Sequence, residues 1–179
     1  MIPEPPSLPS LSANDLLPLF QQKLEAAAAT MVIAQGKKEI AYEIGRYLAQ
    51  SNISEAPSYD ISAARVLDLS SSALTPQETI RVTKAHAAIA ETGTLVFVSG
   101  KENPTLSHFL PDIEIVILRR ADLRAHLEQI LNEMPKPLPR GLYCVTGPSR
   151  SADIEQTLLM GAHGPRFLHV IVWEDEKAA

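Results

Sequence analysis

Apolar residues in the second half of the chain fall into short continuous runs. Runs of about four to eight apolar residues are typical of strands covered on both faces. Four such runs predict strands, at residues 94–98, 113–118, 142–146 and 167–173. The segments between them have helical spacing, which predicts helices at residues 122–131 and 151–160. Residues 105–110 fit one or two helical turns.

The first half of the chain is patterned as helices around one short strand. Polar capping residues from Ser12 precede a helical spacing of Leu16, Leu17, Phe20 and Leu24. A second helix is predicted at residues 39–50, after a short strand at 30–34. Residues 79–90 fit a strand and a helix equally well.

Strands that alternate with helices over short connections predict an α/β fold, with a mostly parallel sheet flanked by helices. Ligand sites in such sheets lie at the carboxyl ends of the strands. The length of 179 residues predicts a single domain, residues 13–179. The prolines of MIPEPPSLPS predict a flexible tail over residues 1–12.

The charge and the cysteine count exclude several classes of protein. Sixteen basic and 21 acidic residues give a net charge of −5, which argues against nucleic-acid or anionic-membrane partners. One cysteine allows no internal disulfide and no iron–sulfur cluster, which needs about four thiolates. The longest apolar stretch is too short to span a bilayer, and no signal peptide is visible, so we expect a cytoplasmic protein.

The loop Thr146-Gly-Pro-Ser-Arg-Ser-Ala-Asp-Ile-Glu follows one predicted strand and opens the predicted helix at 151–160. A helix N-terminus attracts anions, and arginine grips carboxylates or phosphates. We therefore expect an anion-binding loop made by Ser149, Arg150, Ser151 and Asp153. A well-capped helix with a surface arginine is the alternative that these residues leave open.

Two further loops carry candidate catalytic groups. In Met160-Gly-Ala-His-Gly-Pro-Arg, His163 is a candidate general acid or base and Arg166 a second cation. In Glu91-Thr-Gly-Thr, Glu91 is a candidate nucleophile or base, with Thr92 and Thr94 beside it as ligand-binding hydroxyls. Both loops can equally be turns without a chemical role. His86 and His108 are interpreted as structural, and Cys144 as a buried, inert thiol. No cluster of His or Cys has metal-ligand spacing.

Taken in order, these motifs resemble the LUD (lactate-utilization) domain family, in its LutC-like branch. The resemblance is carried by Ala90-Glu-Thr-Gly-Thr, Leu106-Ser-His-Phe-Leu-Pro-Asp, Ser149-Arg-Ser-Ala-Asp-Ile-Glu and His163-Gly-Pro-Arg. Family members usually have threonine at the position of Ser151. The resemblance implies a fold like that of the NagB/RpiA/CoA-transferase group.

The resemblance also implies a process, the oxidation of L-lactate to pyruvate together with two iron–sulfur proteins, LutA and LutB. This chain would be the subunit that binds no cofactor itself and recognises a small anionic ligand. Two alternatives remain open. One is a stand-alone enzyme or binder of a phosphorylated or CoA-linked small molecule, with Glu91 as the acyl-accepting carboxylate. The other is a non-catalytic scaffold subunit.

Overall fold

The computed structural model describes residues 11–51, 80–100, 104–109, 111–152, 158–160 and 164–174. The predicted tail therefore lies, except for its last two residues, outside the described residues, as do Asp153 and His163. Of Ser151 only the backbone position is described.

Helices and strands alternate through the described part of the chain. In order they are α1 (Ala13–Ala26), β1 (Thr30–Gln35), α2 (Lys37–Gln50), β2 (Ile80–Lys84), β3 (Ala87–Ile89), β4 (Thr94–Val98), β5 (Ile113–Arg119), β6 (Leu123–Arg124), α3 (Leu127–Glu133), β7 (Leu142–Val145), β8 (Arg150–Ala152), β9 (Leu158–Met160) and β10 (Phe167–Glu174). Short 3-10 turns at Thr105–His108 and Arg120–Asp122 complete them.

The first sheet, called sheet A here, is entirely parallel and confirms the predicted α/β architecture. Its strand order is β1-β10-β5-β2. Alternate residues of each strand face opposite sides. On β5, the isoleucines 113, 115 and 117 share one core cluster with Ile40 and Ile44 of α2. Val116 and Leu118 face the other side, where they share a cluster with Phe20 and Leu24 of α1.

A second, mixed sheet, called sheet B, shares that other core cluster with sheet A. Its strand order is β6-β3-β4-β7, with β3 parallel to β6 and antiparallel to β4. Two of the predicted strands, β4 and β7, belong to this sheet and pair antiparallel. The chain passes from sheet A into sheet B twice, from β2 into β3 and from β5 into β6. On the remaining face of sheet B, Ala87, Ile89 and Val96 pack with Ile130 and Met134.

Two predicted helices differ from the structure. The helix predicted at 151–160 is wrong, because β8 and β9 pair antiparallel there, with Ser151 opposite Leu159. The run Leu158-Leu-Met is a short apolar run of the strand type. The helix predicted at 122–131 begins only at Leu127, since Leu123 and Arg124 pair with β3 instead. The side-chain oxygen of Gln129 caps the start of this helix, because it accepts hydrogen bonds from the N–H groups of Ala125 at 2.8 Å and His126 at 3.1 Å.

Candidate functional site

A carboxylate and an imidazole meet where the parallel strands β3 and β6 end. The pairing of Ile89 with Arg124 is continued by a bond from the Ala90 N–H to the Arg124 carbonyl, 2.8 Å. The next residues in this register are Glu91 and His126. Their side chains lie 2.8 Å apart, from Glu91 Oε2 to His126 Nδ1. Side-chain exposure is 39% for Glu91 and 5% for His126, so the carboxylate faces solvent with the ring behind it.

Three threonine hydroxyls form a chain beside this pair. Thr94 Oγ1 lies 2.8 Å from Thr92 Oγ1 and 2.6 Å from Thr146 Oγ1. Thr94 is buried, whereas the outer two threonines are exposed. Thr146 follows β7, and because β7 is antiparallel to β4, its end lies beside Thr94. Distant residues thus join the predicted turn residues: His126 contacts Glu91, and Thr146 contacts Thr94.

The remaining motif loops meet at the amino ends of β5 and β10. The Ser149 N–H donates to the Pro165 carbonyl at 2.8 Å, and the Arg166 N–H donates to the Asp112 carbonyl at 2.7 Å. Arg166 is exposed. Arg150 is also exposed, on strand β8 rather than at a helix start. The expected helix dipole beside Ser149 and Ser151 is therefore absent from this hairpin.

A buried contact joins His108, in the loop before β5, to Glu114 of β5. His108 Nδ1 contacts Glu114 Oε1, and both side chains are at most 1% exposed. The imidazole packs against Phe97, with ring centroids 4.4 Å apart, and edge-on to Tyr143 at 4.8 Å. This interior position between the sheets agrees with the structural interpretation of His108.

A cavity of about 470 Å³ opens where the chain crosses from sheet A into sheet B. Its lining comes from both crossings and from the end of β4, and consists of Lys84, Ala85, His86, Val98, Arg119 and Asp122. These residues follow the carboxyl ends of β2 and β5, which is the place expected for a ligand in a parallel sheet. Sequence reasoning passed over them, although charged residues directly after two apolar strands were a usable signal.

Cys144 is exposed, so the prediction of a buried thiol was wrong. The physical reason is that β7 is the last strand in the order of sheet B. Partial burial raises the pKa of the Cys144 thiol, which favours the neutral form.

Among the described residues, no three His, Cys, Asp or Glu side chains are grouped to hold a metal ion. No helix within the described ranges is long and apolar enough to cross a membrane.

Residues 17–173 match the family model of the LUD domain. The chain is similar to lactate utilization protein C of Halalkalibacterium halodurans, with 35% identity over 105 residues, 55% of this chain and 46% of that protein. It is similar to the protein of the same name from Geobacillus thermodenitrificans, with 31% identity over 55% of this chain and 44% of that protein. The chain thus spans about half the length of these relatives.

A crystal structure of a DUF162 family protein from Deinococcus radiodurans has the same fold. The TM-score is 0.60 at 18% sequence identity, and the match covers 92% of this chain and 99% of that one. At this identity the likeness concerns the fold alone, and it extends over both sheets described above.

Proposed function

The chain belongs to the LUD domain family, and we propose that it is a component of a lactate-utilization system that oxidises L-lactate to pyruvate. Relatives named lactate utilization protein C support the pathway. The observation that carries the chemistry is the pair of Glu91 and His126, a half-exposed carboxylate held at 2.8 Å by a buried imidazole.

Oxidation of L-lactate to pyruvate releases two electrons and two protons, one of them from the 2-hydroxyl group. Glu91 accepts this hydroxyl proton, because its carboxylate is the solvent-facing member of the pair. His126 acts through Glu91 as a positioning residue. The exposed hydroxyl of Thr92 binds a substrate oxygen beside it, and buried Thr94 orients that hydroxyl through their hydrogen bond.

The substrate carboxylate is held by the cations of the other motif loops, Arg150 and Arg166, with Ser149, Ser151 and Asp153 as further members of the loop. The C2–H bond of lactate breaks in the same oxidation, and His163 accepts the proton lost from C2 while its two electrons go to the partner proteins. Only a short stretch of chain separates the Glu91 site from these motif loops. Only two residues lie between Thr146, beside Thr94, and Ser149, beside Pro165, and the three residue steps span at most about 10 Å.

The two electrons leave through iron–sulfur clusters on partner proteins of the LutA and LutB type. This chain has one cysteine, too few for a cluster of its own. The partnership, together with a cytoplasmic location, is a proposal that rests on the naming of the relatives.

The test deletes the gene from a host that grows on L-lactate and then supplies variants of it. Deletion should abolish growth on L-lactate and leave growth on pyruvate unchanged, and an affinity-tagged chain should co-purify with iron-containing proteins. In extracts, Glu91→Gln should lower L-lactate-dependent dye reduction about 100-fold, the lower range for loss of a general base.

Two controls separate the parts of this proposal. Glu128→Gln removes a carboxylate that is exposed on α3 and should leave dye reduction unchanged. His126→Gln should change the pH profile of the reaction, which a purely structural role would not do. Normal growth of the deletion strain on L-lactate would refute the pathway, whereas full activity of Glu91→Gln would refute only the role of Glu91.

A further inference from the structure

The cavity between the two chain crossings is chemically distinct from the Glu91 site. His86 precedes β3 and Glu91 lies two residues beyond its end, so five residue steps, at most about 16 Å of extended chain, separate them. A three-carbon acid is too short to touch both ends of this strand. The cavity is therefore a second place at which the protein can hold a ligand.

Backbone pairing fixes the walls of this cavity. The Ala85 N–H donates to the Ile117 carbonyl at 3.0 Å, which extends sheet A by one residue. The next N–H, that of His86, donates to the Val96 carbonyl at 2.9 Å in sheet B. The change of sheet within two residues brings Lys84 and His86 to the cavity, and the neighbouring crossing from β5 to β6 contributes Arg119 and Asp122.

The lining concentrates positive charge in an acidic protein. Lys84 and Arg119 face the cavity from the two crossings, against a net charge of −5 for the whole chain. Two further arginines, which follow Arg119 along the chain, form ion pairs with glutamates. Arg120 pairs with Glu174. Arg124 binds Glu133 through Nε at 2.9 and 3.0 Å, which lowers the pKa of that carboxyl.

The cavity also contains one carboxylate, that of Asp122. A carboxylate accepts hydrogen bonds and repels anions, so it selects a ligand that carries a donor as well as a negative group. The volume of about 470 Å³ lies within the range of about 300 to 1,000 Å³ that small-molecule sites occupy.

From this juxtaposition we propose that the cavity binds a small hydroxylated organic phosphate. Lys84 and Arg119, at the ends of the neighbouring strands β2 and β5, hold the phosphate through charge-assisted hydrogen bonds. Asp122 accepts the ligand hydroxyl, and His86, two residues after Lys84, lies beside the phosphate. A carboxylate ligand shares part of this chemistry, and the experiment distinguishes the two. The inference does not depend on the lactate proposal.

The test is calorimetric titration of the intact chain with glycerol 3-phosphate, methyl phosphate, inorganic phosphate and L-lactate. Glycerol 3-phosphate should bind most tightly. Lys84→Gln and Arg119→Gln should each weaken it at least tenfold. Lys84 is exposed, so its variant keeps the test valid if Arg119→Gln fails to fold. Lys38→Gln, an equal charge change on exposed α2, is the matched control and should bind within twofold of the wild type.

Asp122→Asn tests selectivity separately. It should abolish the preference for glycerol 3-phosphate over methyl phosphate, while inorganic phosphate binds at least as tightly as before. Tighter binding of L-lactate than of any phosphate would overturn the proposed ligand class. No binding of any of the four probes, or equal losses in Lys84→Gln and Lys38→Gln, would overturn the site. The outcome for Glu91→Gln in dye reduction is independent of all these measurements.

Discussion

The turn that follows Glu91 depends on the absence of a side chain at Gly93, and Gly93→Ala should expose this dependence. Gly93 has φ +68°, and an ideal Cβ there would lie 2.5 Å from the Leu24 nitrogen and 2.7 Å from the Lys23 carbonyl carbon of α1. Left-handed backbone costs about 1–2 kcal/mol for alanine. Overpacking against a fixed backbone costs about 1–3 kcal/mol more. We expect a loss of about 2–5 kcal/mol in the free energy of unfolding.

Urea titration and thermal melting measure this loss. A chain of this size loses about 2–4 °C of Tm per kcal/mol, so the Tm of Gly93→Ala should fall by about 4–20 °C. Gly45→Ala is the control, because Gly45 lies inside α2 with no atom near its Cβ position. The free energy of unfolding of Gly45→Ala should rise by about 0.5–1 kcal/mol, because alanine has the higher helix propensity. A Gly93→Ala variant within about 0.5 kcal/mol of the wild type, smaller than either cost, would refute the close packing of the turn on α1.

Two buried groups give further predictions. Burial, with a smaller contribution from the charge of Arg46, lowers the pKa of His169 from 6.5 to about 4. The unfolded chain therefore takes up the proton first, so stability is complete above pH 6.5 and falls as the pH drops towards 4. Between pH 7 and 5 the free energy of unfolding of the wild type, measured by urea titration, should fall by about 2 kcal/mol more than that of His169→Phe. Equal decreases in the two proteins would contradict this prediction. Glu114→Gln should cost about 1–3 kcal/mol, because it disturbs the buried hydrogen bond with His108. In the same titrations exposed Glu128→Gln should cost less than about 1 kcal/mol, and equal losses in the two variants would count against the buried hydrogen bond.

The apolar runs predicted strands well because burial on both faces demands them. The runs at 94–98, 113–118, 142–146 and 167–173 all form strands within a residue or so. Their assignment to two sheets was not predictable from the runs, since β4 and β10 have similar apolar sequences but different partners. Residues 79–90, which fitted two structures, contain β2 and β3.

The errors come from pairing between distant residues. The segment at 151–160 has helical spacing, but its described residues at 151–152 and 158–160 belong to the paired strands β8 and β9. His126 was missed for a related reason. Its contact with Glu91, 35 positions earlier, exists only because β3 and β6 run parallel in one register. Local spacing contains no information about such a register.

The candidate site was predictable in part. Glu91, Thr92 and Thr94 are adjacent in sequence, so their proximity needed only a turn. The cations Lys84 and Arg119 come from strands about 30 residues apart, and only the parallel pairing of β2 with β5 brings them to one cavity. Their positions at strand ends were the available signal.

The central position of β10 has a consequence for biosynthesis. Within the described residues, β1 pairs with β10 alone, so Thr30 finds its partner His169 only after 139 further positions have been synthesised. Until then the edges of β1 and β5 that β10 covers are unpaired, and such edges are templates for aggregation. Closing so long a loop is slow, because entropy must be lost before contacts are gained. On the ribosome, sheet A therefore completes only after β10 has been translated, and until then these edges of β1 and β5 stay unpaired.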